Sequence, residues 1–346
     1  WFSMYFGLSE DQIFFQDNVK KFLEDQLTLD TVKKITEGED DLAKEELHKG
    51  LINLGINNIL IPEEYGGLGL DLLFATAVSQ SLGEGVATLP FLGPYIAAPT
   101  AIKYGASDNQ KEKLFADMSQ NLINFGIGFS EYFGSRDSSG LNISDNKVTG
   151  KTLFVLDADF ASHVMIADNK GQIGIISLDS SGIEMIDLTT VDKTRTYKEM
   201  HFSDTPIEIL DKTKSSSFAI EMALDAGRII AAADSLGASQ AMINKAVEYS
   251  KERKQFNRVI GSFQAVKHMC AEMAAELEPC YSLVWHAAHS FDDSSEDARL
   301  MACLAKSHIS EVSKMVSKKA TEVHGGMGFT DLLGLHFWFK RIGLNR

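Results

Sequence analysis

Two stretches in the last third of the sequence decide the fold. Residues 251–258 read Lys-Glu-Arg-Lys-Gln-Phe-Asn-Arg, and residues 324–330 read His-Gly-Gly-Met-Gly-Phe-Thr. A basic cluster at the end of a helix is a favourable placement for cations, but Arg253 could also fork onto a pyrophosphate, and Phe256 offers a flat apolar wall. Three glycines can expose successive amide hydrogens to an anion, or they can simply break a helix. The residues alone leave both pairs of alternatives open.

Both stretches follow long predicted helices. The segment Phe218–Glu252 is rich in Ala, Leu and Ile on all sides, which predicts a buried central helix. A second apolar stripe recurs at three- and four-residue spacing and consists of Ala305, Ile309, Val312, Val316, Ala320 and Val323.

The first part of the chain also has a helical pattern. Ser9, followed by two acidic residues, predicts an N-terminal cap. Apolar residues then recur among charged ones and predict an amphipathic helix; they are Leu8, Phe14, Val19, Phe22 and Leu23. Pro62 and three glycines predict an irregular loop over residues 62–71, which is either an interdomain turn or a close approach to a ligand.

The middle of the chain has the pattern of strands. Four short segments rich in β-branched or aromatic residues are separated by turn residues; they are Ile123–Ser130, Lys147–Leu156, His163–Ala167 and Gln172–Leu178. Because no helix separates them, we expect antiparallel pairing. The sequence thus predicts an α+β multi-domain protein. Its parts are a helical N-terminal domain over residues 4–121, a middle antiparallel β-domain over 122–212 and a C-terminal helical bundle over 213–346.

Composition and missing motifs exclude several classes of function. The formal charge of -15 argues against nucleic-acid binding, and three cysteines without a C-x-x-C pair support neither a disulfide framework nor a metal site. No apolar run approaches the roughly 18 residues of a membrane span, so we expect a cytoplasmic protein. The sequence has no G-x-G-x-x-G after a predicted strand, no P-loop and no G-x-S-x-G elbow, which argues against nicotinamide-binding, NTPase and serine hydrolase sites.

Taken in order, the motifs resemble those of the acyl-CoA dehydrogenases over nearly the whole chain. The segment 62–70, Pro-Glu-Glu-Tyr-Gly-Gly-Leu-Gly-Leu, is similar to that family's loop after its early helices. Arg253-x-x-Phe256, with Ile260-x-x-Phe263-Gln264-x-x-x-His268, is similar to its helical hairpin, and 324–330 to its late glycine turn. The resemblance implies a C-terminal four-helix bundle and assembly as a homodimer, a homotetramer or a heterotetramer with a related subunit.

The resemblance also implies FAD as cofactor. By position, Arg253, Phe256 and Gln264 would contact the FAD of a neighbouring subunit, while Gly325 and Gly326 would line the dinucleotide. Glu322 would line it too, although Gln is usual there. In place of the family's T-E-P-x-x-G-S-D, this chain has Phe-Ser-Glu-Tyr-Phe-Gly-Ser-Arg-Asp over 129–137. Ser130 could still donate a hydrogen bond to the flavin, and the Phe154 ring could pack against it.

The catalytic base is missing from both positions that the family uses. Aligning residues 337–346 with the family pattern places the usual Glu beyond Arg346, and the alternative Glu before the central arginine is replaced here by Gly227. Asp234 lies about two turns from Gly227 on the same predicted helix, with Arg228 as a supporting residue. A lone Asp in an apolar helix either has a raised pKa, which suits a base, or is bonded to a helix terminus or an Arg.

Three functions remain after this comparison. The first is an FAD-dependent acyl-CoA dehydrogenase that forms an enoyl-CoA and passes electrons to an electron-transfer flavoprotein. The second is a non-catalytic or half-site partner subunit of a heteromeric acyl-CoA dehydrogenase. The third is a thioester-binding protein without redox activity.

Overall fold

The computed structural model describes residues 7–346; the predicted domain boundary at residue 4 lies outside them. Ten α-helices occur in this range: α1 Glu10–Gln26, α2 Leu29–Glu37, α3 Asp41–Asn53, α4 Leu72–Glu84, α5 Ala98–Gly105, α6 Asp108–Ser119, α7 Phe218–Glu252, α8 Gln264–Asp292, α9 Ala298–His324 and α10 Leu335–Asn345. The strands are β1 Phe125–Gly128, β2 Gly140–Ser144, β3 Lys147–Leu156, β4 His163–Ala167, β5 Ile173–Ser177, β6 Ile183–Leu188, β7 Tyr197–Pro206, β8 Glu208–Ile209, β9 Lys254–Gln255 and β10 Arg258–Val259. The helix–sheet–helix order is therefore as predicted.

Helix α1 begins where the sequence predicts. The Ser9 hydroxyl accepts a hydrogen bond from the backbone N–H of Gln12, and the Gln12 side chain accepts one from the backbone N–H of Ser9. This reciprocal pair is a capping box, which satisfies two amide groups that a helix start otherwise leaves unpaired. The predicted cap is confirmed.

The described chain packs as two compact units. One contains the residues up to Leu51 together with Leu72–Thr88 and Arg228–Arg346, and the other contains Ile52–Asp71 and Leu89–Gly227. We call them the helical unit and the sheet unit. The three-domain division drawn from the sequence remains a prediction.

The sheet unit is built on eight strands in the order β6-β7-β3-β1-β4-β5-β8, with β2 paired to β3. Its pairs are antiparallel except for β1 and β4, which are parallel, with Phe125 opposite His163. The expectation of purely antiparallel pairing is wrong at this point because the chain crosses over β1 between β3 and β4. One side of the sheet packs against α5, α6 and the start of α7 through buried residues such as Phe115, Phe125 and Ile220.

The helical unit is held together by close backbone contacts between α4 and α7. A Cβ atom added to Gly237 would lie 1.8 Å from the carbonyl oxygen of Gln80, and one added to Gly83 would lie 2.0 Å from that of Asp234. Only glycine permits this approach. The contact places Asp234 in the interior, consistent with the prediction of a buried central helix. Among the described helices, none has the length and apolar character that crossing a bilayer requires.

Candidate functional site

The basic stretch after α7 folds into a two-stranded hairpin that presents Phe256. Arg258 pairs with Gln255 across the hairpin, and Phe256 and Asn257 form the turn with φ of 51° and 61°. Such turns favour glycine and asparagine, and an aromatic residue in the left-handed region is strained. The Phe256 ring is nevertheless 87% exposed. The chain thus holds a large apolar side chain out of its own core, at the tip of the hairpin.

Contacts at the open end of the hairpin hold Arg253 and the start of α8 in place. The Ile260 N–H donates to the Arg253 carbonyl at 2.7 Å, which closes the hairpin. The Arg258 guanidinium lies 3.9 Å from the centre of the Phe263 ring, a cation–π contact that stiffens the loop. Arg253 and Gln264 are both exposed at this end of the helical unit.

The glycine turn after α9 is open on its outer side. Gly325 has φ of 57°, and no atom of the described chain beyond the immediate neighbours lies within 4 Å of a Cβ built at Gly325 or Gly326. Glu322 and both glycines are exposed. The backbone here can therefore be approached closely by a ligand, as glycine-lined anion sites require.

A ring contact joins this turn to the hairpin. The His324 ring lies 4.5 Å from the Tyr249 ring, centre to centre, and the Tyr249 carbonyl accepts from the Arg253 N–H at 2.9 Å. His324 Nδ1 is 2.7 Å from the Ala320 carbonyl oxygen, and burial lowers the pKa of His324, which keeps the ring neutral at pH 7. The structure therefore brings the two sequence stretches of the helical unit together.

In the sheet unit, a buried carboxylate links Ser130 to β3. Glu131 is 2% exposed and accepts hydrogen bonds from the hydroxyls of Ser130, at 2.7 Å, and Thr152, and from the Leu153 N–H at 3.0 Å. Phe154 follows on the same strand and is 46% exposed. Glu131 thus links Ser130 to the strand that carries Phe154, and the Ser130 hydroxyl donates to Glu131. A hydrogen bond from Ser130 to a flavin remains a prediction.

The sequence alone did not identify Glu131 as the residue that holds Ser130 against β3. We expect Glu131→Ala to lower the free energy of unfolding by about 3 kcal/mol or more, because hydrogen bonds to a charged group contribute about 1.5–3 kcal/mol each. Urea unfolding measures this change. Glu131→Gln, which keeps the volume and one of the two acceptor oxygens, should lose less. Glu184→Ala, at an exposed position on β6, is the control, and equal stability of the two alanine variants would contradict the assigned role.

Asp234 forms a buried ion pair. It is 2% exposed, and its two oxygens accept four hydrogen bonds of 2.6–3.1 Å from Arg341 and Asn345. Arg341 also donates to the Ala87 carbonyl at 2.7 Å. This is the second of the two alternatives open from the sequence, an Asp bonded to an Arg. The ion pair favours a structural role for Asp234, and its assignment as base remains a prediction.

Arg228 lines an open pocket of about 610 Å³ in the helical unit. Lys306 and Arg346 line it too, and the pKa of Lys306 is lowered by burial and by these two arginines. Glu311 contributes one carboxylate, which accepts from Arg346 at 2.7 Å. A supporting catalytic role for Arg228 remains a prediction.

The residues present fit a bound dinucleotide. The open amides of the glycine turn suit a phosphate, Arg253 can pair with one, and the exposed rings of Phe256 and Phe154 offer flat apolar faces. The helix–sheet–helix fold thus carries segments whose chemistry suits a phosphate in the helical unit and a flat ring in each unit.

Comparison with known proteins identifies the family. Models of the acyl-CoA dehydrogenase N-terminal and C-terminal domains match residues 9–121 and 218–346, together more than half of the chain. The 3-(aryl)acrylate reductase of Clostridium sporogenes is 28% identical over 86% of this chain and 85% of its own length. The caffeyl-CoA reductase-Etf complex subunit CarC of Acetobacterium woodii is 27% identical over 94% and 90%.

The fold agrees with this result. The structure of butyryl-CoA dehydrogenase from Megasphaera elsdenii superposes with a TM-score of 0.86 at 22% identity and covers 99% of this chain and 95% of that one. The chain belongs to the acyl-CoA dehydrogenase family, whose members are flavin-dependent oxidoreductases. The resemblance drawn from the three sequence motifs is confirmed.

Proposed function

We propose that this chain binds FAD and catalyses α,β-dehydrogenation of an acyl-CoA thioester, with electrons passed to an electron-transfer flavoprotein. The observation that carries the proposal is the strained, 87% exposed Phe256, together with the open glycine turn. The Phe256 ring makes an edge contact with the Phe263 ring, with centres 6.1 Å apart, and most of its surface stays exposed. An exposed aromatic ring of this kind is suited to a flat ligand presented by another subunit, so the proposal includes a dimer or a dimer of dimers.

Each residue proposed to hold FAD is assigned a role from the chemical group that it offers. Gly325 and Gly326 would hold phosphate oxygens through backbone amides, and Arg253 would neutralise their charge. The Phe154 ring would pack against the flavin, and Ser130 would form a hydrogen bond with it. Glu322 and Gln264 would border the dinucleotide. Glu131 is a positioning residue, since it holds Ser130 and β3 in place.

The reaction needs a base, a polarised carbonyl and a hydride acceptor. When bound, FAD supplies the acceptor for the hydride that leaves the β-carbon. The protein's part is to remove the α-proton with a carboxylate and to stabilise the charge that develops on the thioester oxygen through hydrogen-bond donors. Asp234 is the candidate carboxylate drawn from the sequence, and its ion pair with Arg341 weighs against that role.

Two relatives support the proposed redox partner. One relative is a subunit of a reductase–Etf complex and another is a 3-(aryl)acrylate reductase, so reduction of the double bond is the reverse direction of the chemistry proposed here. A panel of saturated and α,β-unsaturated acyl-CoAs, tested for flavin bleaching and for reoxidation, distinguishes the two directions for this chain.

The experiment that tests the proposal is flavin binding by matched phenylalanine variants. We expect the purified protein to be yellow and Phe256→Ala to bind FAD at least about tenfold more weakly, since burying a Phe side chain contributes about 1.5–3 kcal/mol. Phe14→Ala is the control, because Phe14 is 69% exposed on α1 and outside the proposed site. The measurement is FAD titration followed by absorbance and fluorescence.

The outcomes separate the remaining functions. A colourless protein that takes up no added FAD, alone or with a related subunit, would overturn the proposal and favour a thioester-binding protein. Flavin that appears only in a mixed complex would overturn it in favour of the half-site subunit. Equal FAD affinity in the Phe256 and Phe14 variants would show that Phe256 does not contact FAD.

A further inference from the structure

The helical unit contains a second pocket, distinct from the residues proposed to hold FAD. It has a volume of about 300 Å³ and is bordered by α1, α2, α4, α7 and α10. Its walls are mainly apolar and include Leu23, Leu27, Leu29, Val32 and Val86. Charged and polar residues, among them Lys20, Glu84 and Lys245, complete the lining. A cavity with apolar walls and a small number of polar groups is typical of small-molecule sites.

One cation faces this apolar space without an acidic partner. The Lys245 ammonium lies 4.6 Å from the centre of the Trp338 ring, and both residues line the pocket. Burial alone lowers the pKa of Lys245, and within residues 7–346 no carboxylate forms an ion pair with it. A half-buried ammonium that only an aromatic ring stabilises is incompletely compensated, because buried charges are normally paired.

Two of the other charged residues at the pocket, Lys20 and Glu84, are committed to each other. Lys20 pairs with Glu84 at 2.9 Å, and this hydrogen bond raises the pKa of Lys20. Trp338 is fixed as well, since its indole N–H donates to the Glu84 carbonyl at 2.9 Å. The ring under Lys245 is therefore rigid, and the ammonium is left to receive an acceptor from a ligand.

We propose that this pocket binds a small hydrophobic monocarboxylate, with its carboxylate on Lys245 and its apolar body against the leucines of α1 and α2. We infer a negative charge on the ligand because the Lys245 ammonium has no acidic partner, and we infer an apolar body because the pocket walls are mainly apolar. A dianion or a phosphate is disfavoured, because the pocket offers one uncompensated cation and carries Glu24 and Glu84 on its border. The proposal does not depend on the proposed FAD chemistry.

Calorimetric titration of the purified protein, with and without added FAD, tests the site, with hexanoate as the probe and the neutral hexanamide as its isostere. We expect hexanoate to bind, and Lys245→Met to weaken it about tenfold or more, since hydrogen bonds between charged groups are strong in desolvated pockets. Lys251→Met is the matched control, because Lys251 lies on the same helix, is exposed and pairs with Glu248 at 2.7 Å. Hexanamide should bind the wild type about as weakly as hexanoate binds Lys245→Met.

Three results would overturn the proposal: no heat of binding with hexanoate, equal affinity in the Lys245 and Lys251 variants, or equal affinity of hexanoate and hexanamide. If Lys245→Met fails to fold by circular dichroism, Lys245→Gln provides the same comparison with a polar side chain. Flavin content and acyl-CoA oxidation should be unchanged in both lysine variants, which keeps this test separate from the test of the proposed function.

Discussion

Replacement of Asp234 by Asn is expected to destabilise the protein strongly while leaving its chemistry intact at low temperature. The change puts an amide donor against the donors of Arg341 and Asn345 and leaves the Arg341 guanidinium, 2% exposed, without a counter-charge. Breaking one side of a buried ion pair costs about 3–5 kcal/mol. Calorimetric melting should show a fall of roughly 10 °C, since 1 kcal/mol corresponds to about 2–4 °C in proteins of 150–250 residues.

The chain offers a matched control for this prediction. Glu311 accepts from Arg346 at 2.7 Å, but the two side chains are 61% and 47% exposed. Glu311→Gln should therefore change stability by less than about 1 kcal/mol. The double variant Asp234→Leu with Arg341→Met should recover much of the loss, because an apolar pair of similar volume can replace a buried ion pair.

The same variants decide between a structural and a catalytic Asp234. A structural role predicts that Asp234→Asn, assayed well below its melting temperature, still reduces flavin with an acyl-CoA at near the wild-type rate. A general base predicts a loss of about 10²–10⁴-fold in that rate with little change in melting. The second pattern would support Asp234 as the base.

The elements that local patterns define could be predicted from the sequence. The bounds of α7, β3 and β4 agree residue for residue with the predicted segments, because helix and strand periodicity and turn residues act over a few neighbours. The cap at Ser9 has the same local origin. The end of α7 at the basic cluster and the glycine turn after α9 were recognisable because glycine and basic residues have characteristic positions at helix ends, whereas the two-stranded hairpin was not predicted.

The features that could not be predicted depend on residues far apart in the chain. The parallel pairing of β1 with β4 requires a crossover whose route the strand pattern does not encode. Asp234 and Arg341 are separated by 107 positions, and a lone Asp in an apolar helix is equally consistent with a base. Glu131 accepts hydrogen bonds from Thr152 and Leu153 of β3. The sequence does not show that these residues lie next to Glu131 in the fold.

Gly227 is the position where a base could be introduced. It lies in α7, and a Cβ added there would meet only the Leu92 Cδ2 atom, at 3.8 Å, an ordinary contact. A side chain at this position therefore requires no backbone shift. Replacing a helical glycine should also stabilise α7 by roughly 0.5–1 kcal/mol. In the family this chain belongs to, the resemblance places an alternative catalytic Glu directly before the central arginine, here Arg228.

We expect Gly227→Glu to accelerate removal of the α-proton from a bound acyl-CoA by about 10²-fold or more, because a positioned general base contributes about 10²–10⁴-fold. The measurement is exchange of the α-hydrogen with deuterium in D₂O, followed by mass spectrometry, which requires no electron transfer. Gly227→Gln is the control, since it has the same length and helix propensity but no carboxylate. The acceleration should increase with pH as the new Glu ionises, whereas the Gln variant should show no such dependence. Equal exchange in the two variants would show that position 227 does not face the α-carbon, and the base would then have to be sought on another element.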